Sequence, residues 1–142
     1  MKKSTGDLFE ELKKKRNVNE FIKENQSELI FDSLKDMIEF FMNQKGLEKK
    51  AVVKRSQLGN YAYYIIKGEK KNPDRDKLIM LCFGLRLNAD EANQLLRMAS
   101  VGILYSKKIR DIIIINALNF NLDVTETNIK LEDAGEDILP LP

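Results

Sequence analysis

The sequence predicts an all-α fold, and three observations carry that reading. Apolar residues recur at helical spacing along nearly the whole chain, while strand-like alternation is almost absent. Asparagine, serine, glycine and proline stand where helices would start and stop. The composition, 43% apolar and 32% charged over 142 residues, supplies a core and is too apolar for a disordered chain.

Taken in order, 7–15 reads as a short helix with Leu8, Phe9 and Leu12 on one side, broken at Arg16-Asn17. Asn19 is positioned to cap a second short helix carrying Phe21 and Ile22. A longer helix starts at Ser27 or Ser33 and runs to Lys45. Its apolar face is Ile30, Leu34, Met37, Ile38 and Phe41, and Gly46 closes it. The segment 47–56 is a basic helix, with Ala51, Val52 and Val53 apolar and Lys49, Lys50, Lys54 and Arg55 outside. Gln57-Leu58-Gly59 is a tight turn, and Asn60 can cap a helix 61–67 that ends at Gly68. Asn72-Pro73-Asp74 reads as a helix start, with asparagine as the cap and proline in the first turn. That helix runs to Leu85, and Asn88 caps another over 89–100. The segment 107–120 carries Ile109, Ile112, Ile113, Ile114, Ile115, Ala117 and Leu118, apolar nearly all round, so it is expected to be covered on several sides. Asp123 and Glu126 match a capping box for a last helix ending at Gly135, with an irregular tail over 137–142.

Several kinds of chemistry lack their usual residues. There is no histidine, and the single Cys82 lies in an apolar run, which suits a core thiol. No phosphate-cradling glycine loop is present, and the carboxylates are scattered. No cofactor or metal is implied, and a non-enzymatic protein is expected. No segment reaches the roughly 18–20 apolar residues of a membrane span. The lysine-rich start lacks the apolar stretch of a signal peptide, so a cytoplasmic protein without membrane contact is expected.

Net charge is only +2, but it is unevenly placed. From Lys45 to Lys77 ten bases face four acids, whereas from 121 to 142 one lysine faces six acids. A basic middle suggests a polyanionic partner, and a solvated mixed-charge surface is the plainer alternative.

The order of these features points further. A helix, a basic helix, a short glycine-bearing turn and a short helix make a helix-turn-helix arrangement. Ile65, Lys67-Gly68, a basic hinge, Asn72-Pro73 and Leu78-Ile79 follow at fixed offsets. Over 34–85, and less sharply to Ala99, the chain thereby resembles the phage-repressor-like (XRE, lambda-repressor-like) family of transcriptional regulators. The resemblance implies a lambda-repressor-like helix-turn-helix bundle with extra N-terminal and C-terminal helices. It implies a helix 49–56 crossing the DNA backbone and a helix 60–67 in the major groove of double-stranded DNA. The residues expected at DNA are Lys49, Lys50, Lys54, Arg55, Asn60, Tyr61, Tyr63, Tyr64, Lys67, Lys70 and Lys71. The outward residues of helix 60–67 are mostly tyrosines, which discriminate bases less than arginine or asparagine, and Ile66 stands where the family is usually polar.

The organisation expected is an N-terminal arm over 1–26, a DNA-binding domain over 27–100 and a two-helix extension with an acidic tail over 101–142. The isoleucine-rich helix either packs into one domain with its neighbours or pairs two copies. A homodimer would set its recognition helices about 34 Å apart on a palindromic site, occluding a promoter or recruiting to it. The competing function is a helical protein-interaction module that keeps this scaffold and uses the tyrosine patch on a protein partner.

Overall fold

The computed structural model describes residues 3–141. Among them there are helices and connecting turns but no strand. No described helix is long and apolar enough to cross a membrane. The chain divides after Phe31 into two compact units.

The first unit contains α1 (Thr5–Lys14) and α2 (Val18–Glu24), followed by a single turn of 3-10 helix, Gln26–Glu28. Ser4 caps α1 by accepting from the Asp7 amide, and Asn17, not Asn19, caps α2 by accepting from Glu20. The unit has no buried apolar side chain in either helix; Phe9 and Leu12 stay exposed. It is tied by polar contacts instead. Lys3 Nζ reaches Glu11 (2.9 Å) and the buried Asn25 (2.7 Å), and Lys15 reaches Glu24 (2.6 Å).

The second unit begins at Asp32 and holds α3 (Leu34–Lys45), α4 (Lys49–Ser56), α5 (Asn60–Ile66), α6 (Arg75–Gly84), α7 (Ala89–Met98), α8 (Ile109–Asn119) and α9 (Val124–Asp133). Ser33 Oγ accepts from the Asp36 amide, so of the two expected starts the later one is used. Ile30 then lies ahead of α3 and is 92% exposed, outside the apolar face it was expected to join. Gly46 closes α3 in the left-handed region, at φ 64°, as its position predicts. α6 is the centre of the unit. Leu78, Ile79, Met80, Leu81, Cys82, Phe83 and Gly84 are all buried, with α6 packed against α4 and α7, and Ile38, Phe41, Val52, Ala62, Ile65, Leu95 and Leu96 are buried in the same unit. Each large apolar side chain taken fully from water contributes roughly 1.5–3 kcal/mol.

Two further helix starts differ from expectation. α6 is capped by Asp74, whose side chain accepts from the Lys77 amide; Asn72 is exposed and Pro73 is a buried residue just ahead of the cap. α5 has Gly59 at its cap position, at φ 60° and ψ −140°, and Asn60 is the first helical residue with no capping bond. That backbone conformation is open to glycine alone at little cost.

The segment 101–142 lies in the same compact unit as α3–α7. Arginine side chains fasten it. Arg75 donates to the carbonyls of Gly102 (3.1 Å) and Ile103 (3.0 Å) and to Asp111 (2.9 Å). Arg110 makes a two-pronged bond to Asp76 (2.9 and 3.0 Å), and Arg55 reaches the α8–α9 turn. α8 buries Asp111, Ile114, Ala117 and Leu118. It is not covered all round, because Ile109 and Ile112 remain 61% and 44% exposed. The capping box at Asp123 and Glu126 forms as read. Beyond α9 the chain is irregular yet anchored, since buried Leu139 exchanges both backbone bonds with the Asn128 side chain.

Candidate nucleic-acid interface

α5 is a seven-residue helix, and burial divides its faces cleanly. Ala62, Ile65 and Ile66 are buried, so Ile66 serves packing. Asn60, Tyr63, Tyr64 and Lys67 fall at i, i+3, i+4 and i+7 and share the opposite face. Asn60, Tyr64 and Lys67 are exposed, with Tyr64 at 47%, and Tyr63 is half-buried. The helix therefore presents one continuous polar and aromatic ridge.

Tyr61 does not belong to that ridge. It turns to the flank, where the Lys77 ammonium stands 4.4 Å and the Lys70 ammonium 5.8 Å from the centre of its ring. Partial burial, and then the nearby Asp74 charge, hold its phenol pKa above the ordinary value, so the ring remains a neutral proton donor. Tyr61 thus holds two cations beside α5. Lys77 is a participant that the sequence reading counted only as charge.

Six of the expected lysines behave alike. Lys49, Lys50, Lys54, Lys67, Lys70 and Lys71 are all exposed, and none forms an ion pair among the described residues. Of the other lysines of the unit, Lys35 pairs with Glu39 (2.8 Å), Lys45 with Glu91 (3.1 Å) and Lys77 with Asp74 (3.8 Å), whereas Lys107, Lys108 and Lys130 are exposed and form no ion pair among the described residues. What sets the six apart is their position, on α4 and around the exit of α5. Lys50 and Lys54 lie one turn apart on the outer side of α4, and Lys49 opens that helix.

Arg55 is the expected contact that the structure redirects. Its Nε donates to the Phe83 carbonyl (3.0 Å), and its Nη2 donates to the carbonyls of Asn121 (3.1 Å) and Leu122 (3.1 Å) and to Asn121 Oδ1 (3.3 Å). Burial first, and then the Arg86 charge, lower its pKa from the ordinary guanidinium value. With its donors committed to the α6 end and the α8–α9 turn, Arg55 acts as a structural rivet. Asn121 adopts φ 56° there, and its side chain also accepts from Arg86 (3.2 Å). Nothing local to Arg55 could reveal this, because its acceptors lie 28 to 67 positions away. Arg55→Ala is expected to lower unfolding free energy by about 2 kcal/mol, since it strips charge-assisted bonds from partly buried carbonyls. Urea titration checks this; a loss under about 0.5 kcal/mol would mean that water replaces those bonds freely.

Cys82 is buried in α6, and burial pushes its thiol pKa far up, which suits a packing role. No family model, curated protein or solved structure matches the chain.

Proposed function

We propose that this chain is a double-stranded-DNA-binding protein of helix-turn-helix type, resembling phage-repressor-like transcriptional regulators. α4, the turn 57–59 and α5 form the motif, and α5 enters the major groove with Asn60, Tyr63, Tyr64 and Lys67 leading. Lys49, Lys50 and Lys54 neutralise phosphates on one side, and Lys67, Lys70 and Lys71 do so on the other. The observation that carries this reading is the set of six exposed lysines without acidic partners around one exposed helix ridge. Tyrosines bond phosphate oxygens or pack on thymine methyls, so base selectivity rests mainly on Asn60. Binding as a homodimer on a palindromic site belongs to the same reading, with Ile109 and Ile112 of α8 the exposed apolar surface available for pairing.

The test is a fluorescence-anisotropy titration of random duplex DNA at several salt concentrations. Six phosphate contacts imply a log–log slope near −5, so a rise from about 50 to 200 mM salt should weaken binding about a thousandfold. Lys49→Ala with Lys50→Ala should reduce the slope by about two and weaken all sequences alike. Arg55→Lys should leave the slope unchanged. Asn60→Ala should instead alter the preference recovered by selection from random sequences.

One observation favours a second reading. The ridge of α5 is led by tyrosine, the residue that protein interfaces favour. In that case Tyr63→Ala and Tyr64→Ala abolish capture of a protein partner, while duplex DNA fails to bind even at low salt.

A further inference from the structure

A cleft of about 450 Å³ lies where α5 ends against the start of α3. That is within the size range of small-molecule sites, roughly 300–1,000 Å³. Ile65, Leu34 and Met98 supply apolar lining, and Lys67, Lys70 and Lys71 supply cations. No acid lines it among the described residues. The remaining charged neighbour, Lys35, is already spoken for by Glu39. Its stem runs over Gly68, whose φ is 82° and where an added Cβ would come within 2.9 Å of Lys35 Cδ. The wall on that side is thus fixed by a glycine that no other residue replaces cheaply.

Three lysines line one apolar hollow, and no carboxylate lines it with them. A purely apolar ligand would leave those cations without a counter-charge, and a bare inorganic anion would leave the apolar lining wet. A compound with both parts satisfies both. We propose that this cleft binds a small organic anion with an apolar or aromatic body and a multiply charged head such as a phosphate ester. The body lies against Ile65, Leu34 and Met98, and the head is held by Lys67, Lys70 and Lys71.

The inference extends the DNA-binding reading, because those three lysines are also the phosphate contacts proposed beyond α5. A ligand that neutralises them removes them from the duplex, so the two partners oppose each other. By linkage each weakens the other by the same factor.

The test uses 1-naphthyl phosphate as the probe, with inorganic phosphate and 1-naphthol as its two halves. Methyl NMR of the full chain, followed at Met98 and Ile65, reads occupancy directly and does not depend on DNA. The probe should shift both methyls and bind at least about tenfold more tightly than either half. Lys70→Gln with Lys71→Gln should cost about tenfold, Met98→Gln a similar factor, and Lys49→Gln with Lys50→Gln nothing. Equal binding of probe and inorganic phosphate, or unshifted Met98 and Ile65 methyls, overturns the cleft assignment. In the anisotropy titration, saturating probe should weaken wild-type DNA binding about tenfold, and Met98→Gln should need about ten times more probe for the same effect. Unaltered DNA affinity of the wild type at saturating probe overturns the antagonism. Absence of DNA binding without probe refutes the DNA reading, and the methyl shifts still decide the cleft.

Discussion

Asp111→Ala is expected to cost the unit that begins at Asp32 about 3 kcal/mol, the largest loss from any single charged residue described here. The Asp111 carboxylate is only 5% exposed and accepts from Arg75 Nη2 and from the Tyr105 amide, both at 2.9 Å. Removing it leaves the Arg75 guanidinium, at 27% exposure, and the Tyr105 amide without this acceptor, and breaking buried pairs in this way typically costs about 3–5 kcal/mol. Arg75 keeps its bonds to the carbonyls of Gly102 and Ile103, which places the loss at the lower end. For a unit of this size each kcal/mol lowers Tm by about 4 °C, so a fall of about 12 °C is expected by calorimetry. Asp111→Asn keeps one acceptor and should lose about half as much. A double-mutant cycle with Arg75→Ala separates the pair from its surroundings. Strictly additive losses would show that Asp111 and Arg75 do not act together.

That contact also marks how far the sequence could be read. The helices themselves were legible, because each is set by local pattern. Gly46 ends α3, the Asn88–Glu91 pair caps α7 and the Asp123–Glu126 pair caps α9 within their own few residues. Asn72-Pro73-Asp74 was ambiguous for a physical reason. It offers two capping side chains around one proline, and local preference does not choose between them. Capping by Asp74 keeps the first turn of α6 at Arg75, whose guanidinium must reach Asp111. Asn60 yielded its expected role to Gly59, since the short turn demands a positive φ that asparagine bears less easily.

The candidate site was legible in composition and less so in assignment. The six unpaired lysines stand out as a basic cluster in the sequence, and they remain one on the surface. Arg55 looked identical to them on a helical wheel. Only the fold brings Phe83, Asn121 and Leu122 to it. Tyr61 likewise looked like its neighbours until α6 delivered Lys77 to its ring. Periodicity reports which side of a helix faces inward. It does not report which outward residue a distant segment will engage. The same gap explains α8, where apolar residues on every side did not imply cover on every side.

The second large effect concerns Gly84, where two principles oppose each other. Gly84 is the last residue of α6, and replacing a helical glycine by alanine ordinarily stabilises by about 0.5–1 kcal/mol. Here a Cβ would come within 2.5 Å of the Val52 carbonyl oxygen and 3.0 Å of Ser56 Cβ. The first obstacle is backbone and cannot rotate away, so α4 itself must move outward. Overpacking of this kind costs about 1–3 kcal/mol, and the backbone collision puts Gly84→Ala at the upper end. The net expectation is a loss of about 2 kcal/mol, with Gly84→Val losing more because two further methyl groups enter the same gap. On the proposed DNA-binding reading the consequence reaches function, because α4 carries Lys49, Lys50 and Lys54 and displacing it changes their spacing from α5. Gly84→Ala should therefore weaken duplex binding and flatten its salt slope under conditions where calorimetry shows the protein still folded. Arg55→Lys, at comparable stability, should keep the wild-type slope. A Gly84→Ala protein that is more stable than wild type would show that α4 and α6 do not meet backbone to backbone, and the placement of the α4 lysines would fall with that contact.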